Sequence, residues 1–197
     1  MNIVSNTVRD PHMTTVHYYA QTFPPDQFTQ LPSASSLDAL LNDPTLSTDD
    51  RIVLYLSSLH FGVDPDTQNP YLHLNDNDVG VLEPFFEDVY NRCQKASCVV
   101  EIRVMLGGAG GAYAVLFSHF ELYYLLLKRF LQNHSFIAGI DLDVEEQLDT
   151  DQHLALGKIQ HLIQQLHNDF AHMPSFALTM APVAFSLTDN SVGMGGF

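Results

Sequence analysis

The sequence predicts an α/β domain in which parallel strands alternate with helices, and three observations support this fold class. The 197 residues are 46% hydrophobic and 16% charged, a globular composition large enough for one substantial core. Five short runs rich in β-branched and aromatic residues predict strands. Stretches with apolar residues at helical spacing separate most of these runs. Strands that are joined by helical connections are usually parallel.

The first predicted strand covers residues 16–23 and stops at Pro24 and Pro25, which cannot continue a sheet ladder. A polar stretch over 24–50 follows it, and the spacing of its leucines indicates one short helix. The second strand, 52–61, is a nearly continuous apolar run. Such a run is typical of a strand that is covered on both faces.

A loop rich in Asp, Asn and Pro, residues 62–80, separates this strand from a helix predicted over 81–95. Within the loop, the run NDND at 75–78 is interpreted as a solvated turn and helix cap. The third strand, 99–106, leads directly into a glycine-rich turn at 107–111. The chain thus continues the alternation of strand and helix.

Apolar spacing predicts two further helices, over 113–133 and about 152–170. The fourth strand, 136–144, lies between them, and the last strand, 176–181, ends at Pro182. This order leaves two architectures open, an open doubly wound sheet and a (β/α)8 barrel. Periodicity does not separate them, because it does not reveal which strands pair.

The charge of the chain restricts its partners. The formal net charge is −15, with eight Lys and Arg against 23 Asp and Glu. Such a chain repels phosphate backbones and anionic lipids, so we expect no nucleic-acid or membrane partner and favour a neutral or cationic ligand. The first residues lack the basic start and apolar core of a signal peptide, and the longest apolar stretch is too short to span a bilayer. We therefore expect a cytoplasmic protein.

The strongest chemical signal is a row of carboxylates on the fourth strand. Side chains alternate along a strand, so Asp141, Asp143 and Glu145 project from one face. Crowded carboxylates split their pKa values and retain at least one proton. A carboxylic acid that is protonated near neutrality can protonate the leaving oxygen of a glycoside. A solvated edge strand would also carry such a row, but the apolar residues between the acids favour a buried strand.

Other chemistries fit these segments less well. An EF-hand loop needs Gly and Glu where Glu146 and Gln152 stand, although a magnesium site built from Asp141 and Asp143 remains open. The glycine-rich turn lacks the Gly-Lys-Ser/Thr ending of a phosphate-binding P-loop. A dinucleotide-binding turn would need glycine in place of Tyr113.

The acidic row resembles the DxxDxDxE signature of glycoside hydrolase family 18, the chitinases and endo-β-N-acetylglucosaminidases. Asp141, Asp143 and Glu145 match its last three acidic positions. Four further segments resemble family motifs in the same order, namely YYAQT at 18–22, SSLHFG at 57–62, MLGGAGGAY at 105–113 and LTMAP at 178–182. The resemblance covers residues 16–197 and implies a (β/α)8 barrel.

The resemblance also implies a reaction, the substrate-assisted retaining hydrolysis of β-1,4-linked N-acetylglucosamine in chitin, chito-oligosaccharides or N-glycan cores, and hence a role in polysaccharide degradation. Glu145 would protonate the glycosidic oxygen and later activate water. Asp143 would orient the 2-acetamido group of the sugar, and Asp141 would share a proton with Asp143. The mechanism needs no metal or organic cofactor. The implied substrate-binding residues are Tyr18, His60, Gly107, Gly108 and Met180.

The sequence departs from the family pattern in two ways. Ala138 replaces the first Asp of the signature, and on a regular strand its side chain should leave the acidic face unless a bulge shifts the alternation. Five strands are also fewer than a full barrel of about 250 residues contains. We therefore expect an N-terminal extension (1–15) and a barrel (16–197) whose C-terminal strands are missing and whose open edges allow self-association. A glycan-binding protein without turnover is the alternative.

Overall fold

The computed structural model describes residues 13–21 and 32–181, which form a sheet covered by helices. The strands are β1 (Thr15–Gln21), β2 (Arg51–Val63), β3 (Pro70–Leu74), β4 (Asn77–Asp78), β5 (Val99–Gly107), β6 (Ile137–Asp143) and β7 (Ala177–Met180). The helices are α1 (Pro32–Leu41), α2 (Glu83–Cys93), α3 (Ala112–Ser118), α4 (Phe120–Asn133) and α5 (Gln152–Phe170). The predicted α/β class is confirmed. Residues 1–12 of the predicted extension, the end of the first predicted strand (22–23) and residues 182–197 lie outside the described residues.

The order of the parallel strands decides between the two architectures. Strands β1, β2, β5, β6 and β7 are parallel, and each pairs with the next along the chain. A doubly wound sheet would reverse its strand order at a switch point, whereas a barrel adds each strand beside the previous one. The fold is therefore of the (β/α)8-barrel type. Within the described residues the sheet does not close on itself, as predicted for an incomplete barrel.

The loop predicted over 62–80 instead contains an antiparallel extension of the sheet. Strand β2 continues to Val63 and pairs with β3, and β4 pairs with β3. Asn75 and Asp76 connect β3 to β4 with φ angles of 45° and 65°. Left-handed conformations at both central residues are typical of a tight two-residue hairpin turn. The predicted cap is present, because the Asp78 side chain accepts a hydrogen bond of 2.7 Å from Gly80 N at the 3-10 turn before α2.

The helix predicted over 113–133 is two helices. His119 separates α3 from α4 with φ −147° and ψ 67°, outside the helical region. Ser118 Oγ donates to Val115 O (2.7 Å), a side-chain bond to the preceding turn that competes with the helix backbone. The carbonyl of His119 accepts from Leu122 N and Tyr123 N and so begins α4.

The core lies between the sheet and the helices. Alternate residues of the parallel strands, among them Leu54, Val104 and Ile140, are fully buried in one cluster with Leu127 of α4 and Leu162 of α5. The opposite face of the sheet, called the inner face below, points away from these helices. Because strand side chains alternate, the inner face carries the residues between the core positions.

Candidate active site

Polar and aromatic side chains from several strands meet on the inner face. Tyr19 of β1 stacks on Tyr55 of β2 with ring centroids 4.4 Å apart. Arg103 of β5 reaches the Tyr55 hydroxyl (Nη1 to Oη, 3.4 Å) and pairs with Glu101 (Nη2 to Oε1, 2.7 Å). These groups form a polar layer below the carboxyl ends of the strands, the end at which barrel enzymes carry their active sites.

Asp141 is the central acid of this layer. It is 2% exposed, and a buried carboxylate is tolerated only with hydrogen-bonding partners. Tyr19 Oη donates to Asp141 Oδ2 (3.2 Å), and Thr179 Oγ1 of β7 donates to Asp141 Oδ1 (2.5 Å). Burial and the Asp141 charge raise the pKa of Tyr19, which keeps that hydroxyl protonated as a donor. Asp141 is thereby fixed by strands on both sides of β6.

Asp143 and Glu145 lie above this layer and are hydrogen-bonded to each other. Burial raises the pKa of Asp143 to about 6, with further contributions from the charges of Glu145 and Asp141. With its raised pKa, Asp143 can share a proton with Glu145 through this hydrogen bond, so the pair holds a proton close to neutral pH. Strand β6 lies between β5 and β7, so the solvated edge-strand interpretation does not apply.

The glycine-rich turn packs directly on Asp143. Gly108 N donates to the main-chain oxygen of Asp143 (2.9 Å). Gly107 has φ +99°, and a Cβ at this position would overlap the Asp143 carbonyl oxygen and the ring of Tyr113. Only glycine combines this conformation with so close an approach.

A cavity of about 670 Å³ opens beside the carboxylates. Its volume falls in the range of small-molecule sites, about 300–1,000 Å³. Its lining comes from the ends of β5 and β6, the glycine-rich turn, α3 and the antiparallel strands β2–β4. It consists of Ser58, His60, Phe61, His73, Asn75, Asp76, Met105, Gly108, Ala109, Gly110, Gly111, Val115, Asp143 and Glu145.

A bulge in β2 brings His60 into this cavity. The pairing steps from Leu56↔Val104 to Leu59↔Leu106, so β2 has one extra residue there and the alternation of faces shifts. The His60 ring stacks on His73 at 5.5 Å, and burial lowers the pKa of both imidazoles. His60 Nδ1 is buried without a hydrogen-bond partner among the described residues. His60 therefore contributes an uncharged ring to the cavity wall, with Nδ1 on the buried side of that ring.

The structure brings some of the predicted site residues together and separates others. Asp143, Glu145, His60 and Gly108 line the cavity, with Gly107 beneath them against Asp143. Two predicted residues, Tyr18 and Met180, pack against the hydrophobic core on the opposite face. Their sequence neighbours Tyr19 and Thr179 contact Asp141 instead.

Sequence reasoning missed several residues of the site. Thr179 could have been found from the register, because it is opposite Asp141 in the β6–β7 ladder. His73 and Asp76 were assigned to a loop, although the alternation in YLHL followed by Asn-Asp is typical of a hairpin.

A second bulge changes the expectation for Ala138. The pairing steps from Ile102↔Ile137 to Val104↔Ile140, so β6 carries one extra residue between two core positions. Ala138 comes directly after the core residue Ile137, so its side chain lies on the side of Asp141. The sequence alone predicted that a side chain at position 138 leaves the acidic face unless a bulge shifts the alternation, and β6 has such a bulge. The Asp that the family signature has at this position would therefore have lain on the acidic face.

Two kinds of feature are absent from the part of the chain that the structure describes. Residues 13–21 and 32–181 contain no group of three or more His, Cys, Asp or Glu side chains that could hold a metal ion. None of the helices described is long and apolar enough to cross a membrane.

Comparison with solved structures identifies the architecture. The chain is similar to a fungal endo-β-N-acetylglucosaminidase from glycosyl hydrolase family 18, with a TM-score of 0.65 and 27% identity. The match covers 95% of this chain. The resemblance to glycoside hydrolase family 18 is confirmed. The chain spans about 60% of the length of that family 18 structure.

A second family 18 structure supports the fold. It is a chitinase from Pseudoalteromonas aurantia, with a TM-score of 0.50 and 18% identity over 86% of this chain and 56% of that one. No family model matches the sequence, and neither does any curated protein.

Proposed function

We propose that this family 18-like protein is a glycoside hydrolase that cleaves β-1,4-linked N-acetylglucosamine by substrate-assisted, retaining catalysis. The observation that carries the proposal is the hydrogen-bonded Asp143–Glu145 pair at the wall of a ligand-sized cavity. The raised pKa of Asp143 supports it, since the pair holds a proton near neutrality. Chitin, chito-oligosaccharides and N-glycan cores all contain the required linkage.

In the proposed reaction, Glu145 donates its proton to the glycosidic oxygen as the bond to the anomeric carbon breaks. The carbonyl oxygen of the substrate's own 2-acetamido group attacks that carbon and forms an oxazolinium ion. Glu145, now ionised, accepts a proton from the water that opens this ion. Two successive attacks on the anomeric carbon give net retention of configuration.

The other two acids support this sequence. Asp143 orients the acetamido group and, through its hydrogen bond to Glu145, keeps a proton on the pair. Asp141 is anchored by Tyr19 and Thr179, and its charge helps to raise the pKa of Asp143. We propose that Asp141 acts on the pair through this charge.

The sugar-binding roles follow from position. His60 presents its ring to the sugar at the cavity wall, and Gly108 allows the ligand close to the main chain beside Asp143. Gly107 shapes the turn under Asp143, while Tyr18 and Met180 support the strands from the core side. A neutral glycan suits the net charge of −15. The division at residues 15 and 16 and the cytoplasmic location stay predictions.

A glycan-binding protein without turnover is the second candidate. The observation that favours it is the open sheet of the described residues, which leaves Tyr19 on the inner face 46% exposed. Water that reaches the carboxylates would lower the pKa of a buried acid toward its ordinary value.

The test is Glu145→Gln, with Glu87→Gln on the exposed surface of α2 as its control. A chromogenic chitobioside measures hydrolysis, and calorimetry with chitobiose measures binding. We expect Glu145→Gln to reduce kcat by about 10²–10⁴-fold with little change in affinity, because loss of a general acid has that magnitude. Glu87→Gln should match the wild type.

Each other outcome has a definite meaning. Binding without hydrolysis by the wild type would favour the glycan-binding candidate. A Glu145→Gln variant with the wild-type rate would contradict the assignment of the acid.

A further inference from the structure

Two adjacent glutamates at the end of β6 are used in different ways. Glu145 lines the cavity beside Asp143. The Glu146 carboxylate instead accepts hydrogen bonds from main-chain amides at the start of α3, from Tyr113 N to Oε1 and from Ala114 N to Oε2 (3.0 Å). These bonds join the segment after β6 to the segment after β5.

The amides at the start of α3 need an acceptor from outside their own segment. The first N–H groups of a helix have no intrahelical partner and are usually satisfied by the side chain of the N-cap residue. Here the N-cap is Gly111, which has no side chain to offer. Glu146 takes over this role from a distant part of the chain. Hydrogen bonds from amides to an ionised carboxylate are about twice as strong as neutral ones.

Further contacts hold the glycine-rich turn in place. Gly108 N donates to Asp143 O (2.9 Å), and the buried Tyr113 hydroxyl donates to Leu106 O (2.8 Å). A Cβ at Gly111 would lie 3.7 Å from Glu146 Oε2, so the turn and this carboxylate are in close proximity. The glycine-rich turn (107–111) is therefore held at both of its ends.

We propose that Glu146 is a positioning residue, which holds the glycine-rich turn against the end of β6 and thereby fixes the orientation of Glu145. This inference rests on the proposed function. Glu145 lies beyond the last residue of β6, so the sheet ladder does not hold it. Its two neighbours do, because Val144 is buried in the core and Glu146 is bonded to α3. Displacement of a catalytic group by about 1 Å can reduce the rate about 10²-fold.

The test compares Glu146→Ala and Glu146→Gln with the wild type and with Glu87→Gln, all confirmed as folded by thermal melting. Hydrogen exchange at the Tyr113 and Ala114 amides reports directly on their hydrogen bonds to Glu146. In Glu146→Ala we expect exchange about tenfold faster, and kcat on the chitobioside about 10- to 100-fold lower with KM changed less than about threefold. Glu146→Gln keeps one acceptor oxygen, so its exchange rates and its kcat should lie between those of Glu146→Ala and the wild type.

A third measurement, like hydrogen exchange, does not depend on turnover. Carboxyl NMR reports the pH at which Asp143 titrates. Its raised pKa of about 6 has burial, Glu145 and Asp141 as its leading causes. A fall of this pKa in Glu146→Ala would therefore report a change in the geometry around Asp143.

These measurements separate failure of the inference from failure of the proposed function. If kcat per folded molecule is unchanged in Glu146→Ala, or if the amides exchange at the wild-type rate, Glu146 does not position the acid. If the wild type hydrolyses no glycan, the proposed function fails, and hydrogen exchange together with the Asp143 titration decides the positioning role. An unchanged titration in Glu146→Ala would then overturn the positioning role, and a lowered one would support it.

Discussion

Asp143 serves the site with two different parts of the same residue. Its main-chain oxygen accepts from Gly108 N, and its side chain is hydrogen-bonded to Glu145. A substitution that keeps the backbone therefore changes only the second interaction. This makes Asp143→Asn a clean probe of the carboxyl group.

Asp143→Asn should stabilise the protein at neutral pH. Because the folded state raises the pKa of Asp143 from 3.8 to about 6, it binds this proton more tightly than the unfolded chain does. Ionisation then opposes folding, so wild-type stability declines as the pH rises from about 4 through 6. The carboxyl is partly exposed, so we expect a gain of only about 1 kcal/mol above pH 6, or about 2–4 °C in Tm.

The comparison needs melting curves at about pH 4 and pH 7, which bracket the titration. The gain should vanish at the lower pH, where both states are protonated. Asp66→Asn, on an exposed loop residue, is the matched control for the exchange of Asp for Asn itself. An equal effect of Asp143→Asn at both pH values would contradict the raised pKa.

The acids could be predicted from the sequence, but their partners on neighbouring strands could not. The spacing of Asp141, Asp143 and Glu145 is enough to predict that they share a face, because this depends only on alternation along one strand. The choice between Tyr18 and Tyr19 depends on how β1 pairs with a strand more than 30 residues away. The resemblance of YYAQT to a family motif locates this strand, but it does not determine whether Tyr18 or Tyr19 faces inward.

The hydroxyl of Tyr19 offers a direct test of that geometry. Tyr19→Phe removes the hydrogen bond to Asp141 Oδ2, which should lower the free energy of unfolding by about 1 kcal/mol, since water reaches the exposed ring and compensates in part. Tyr90→Phe, at a similarly accessible tyrosine, should change it by less than about 0.5 kcal/mol. Urea unfolding measures both. Equal effects would argue against the bond to Asp141.

At the scale of elements, β2 has the most neighbours. It pairs with β1 along its first half, with β3 along its second half and with β5 on the other side. Its extra residue between Leu56 and Leu59 separates these halves and turns His60 toward the cavity.

Elements that depend on local pattern were predicted well. Helix α5 covers 152–170 as the apolar spacing indicates, and its N-cap Asp151 accepts from His153 N (2.8 Å). The break at His119 was missed, because apolar spacing continues through it. The hairpin was missed because its Asp- and Pro-rich connection, 64–69, dominates the composition of the segment.

Two glycine substitutions test the packing of these elements in opposite directions. Gly107→Ala should destabilise the protein by about 2–3 kcal/mol, because alanine at φ +99° is strained and its Cβ meets Asp143. Gly157→Ala in α5 should stabilise it by about 0.5–1 kcal/mol, since nothing lies within 4 Å of the added Cβ and alanine favours helix. Denaturant unfolding of both variants gives the comparison. Destabilisation by Gly157→Ala would show that the helix packs differently.

For the whole molecule, acidic groups outnumber the basic groups that can pair with them, 23 against eight. Within residues 13–21 and 32–181, five Lys and Arg residues form ion pairs, which are Arg51–Glu101, Arg92–Asp38, Arg103–Glu101, Lys128–Asp169 and Lys158–Asp149. Partly exposed pairs contribute little to stability, while a net charge of −15 repels itself over longer distances.

Salt should therefore stabilise the protein. Raising NaCl from about 10 mM to about 300 mM shortens the range of electrostatic interactions several-fold and screens the repulsion between acidic groups. We expect Tm to rise by about 2–5 °C, which corresponds to roughly 1 kcal/mol for a chain of this size. Scanning calorimetry at constant pH is the measurement. A Tm that falls with added salt would mean that the ion pairs outweigh the repulsion.

The barrel architecture itself could be predicted only in part. Alternating elements predict parallel strands, but the choice between barrel and doubly wound sheet depends on which strands are neighbours. That choice is made by contacts between distant segments, such as β2 with β5, and no local pattern contains it. The similarity of ordered motifs supplied the missing information.

The antiparallel β2–β4 hairpin gives the folding chain a local starting point. Only residues 64–69 must be ordered to bring β2 and β3 together, whereas β2 meets β5 after a crossover that spans residues 64–98. The entropy lost on closing a loop grows with its length, and local contacts form faster than distant ones. The strand that carries His60 can therefore acquire a partner before any parallel pair exists. The hairpin forms one wall of the cavity. This wall can form with less help from the rest of the chain than any other part of the site.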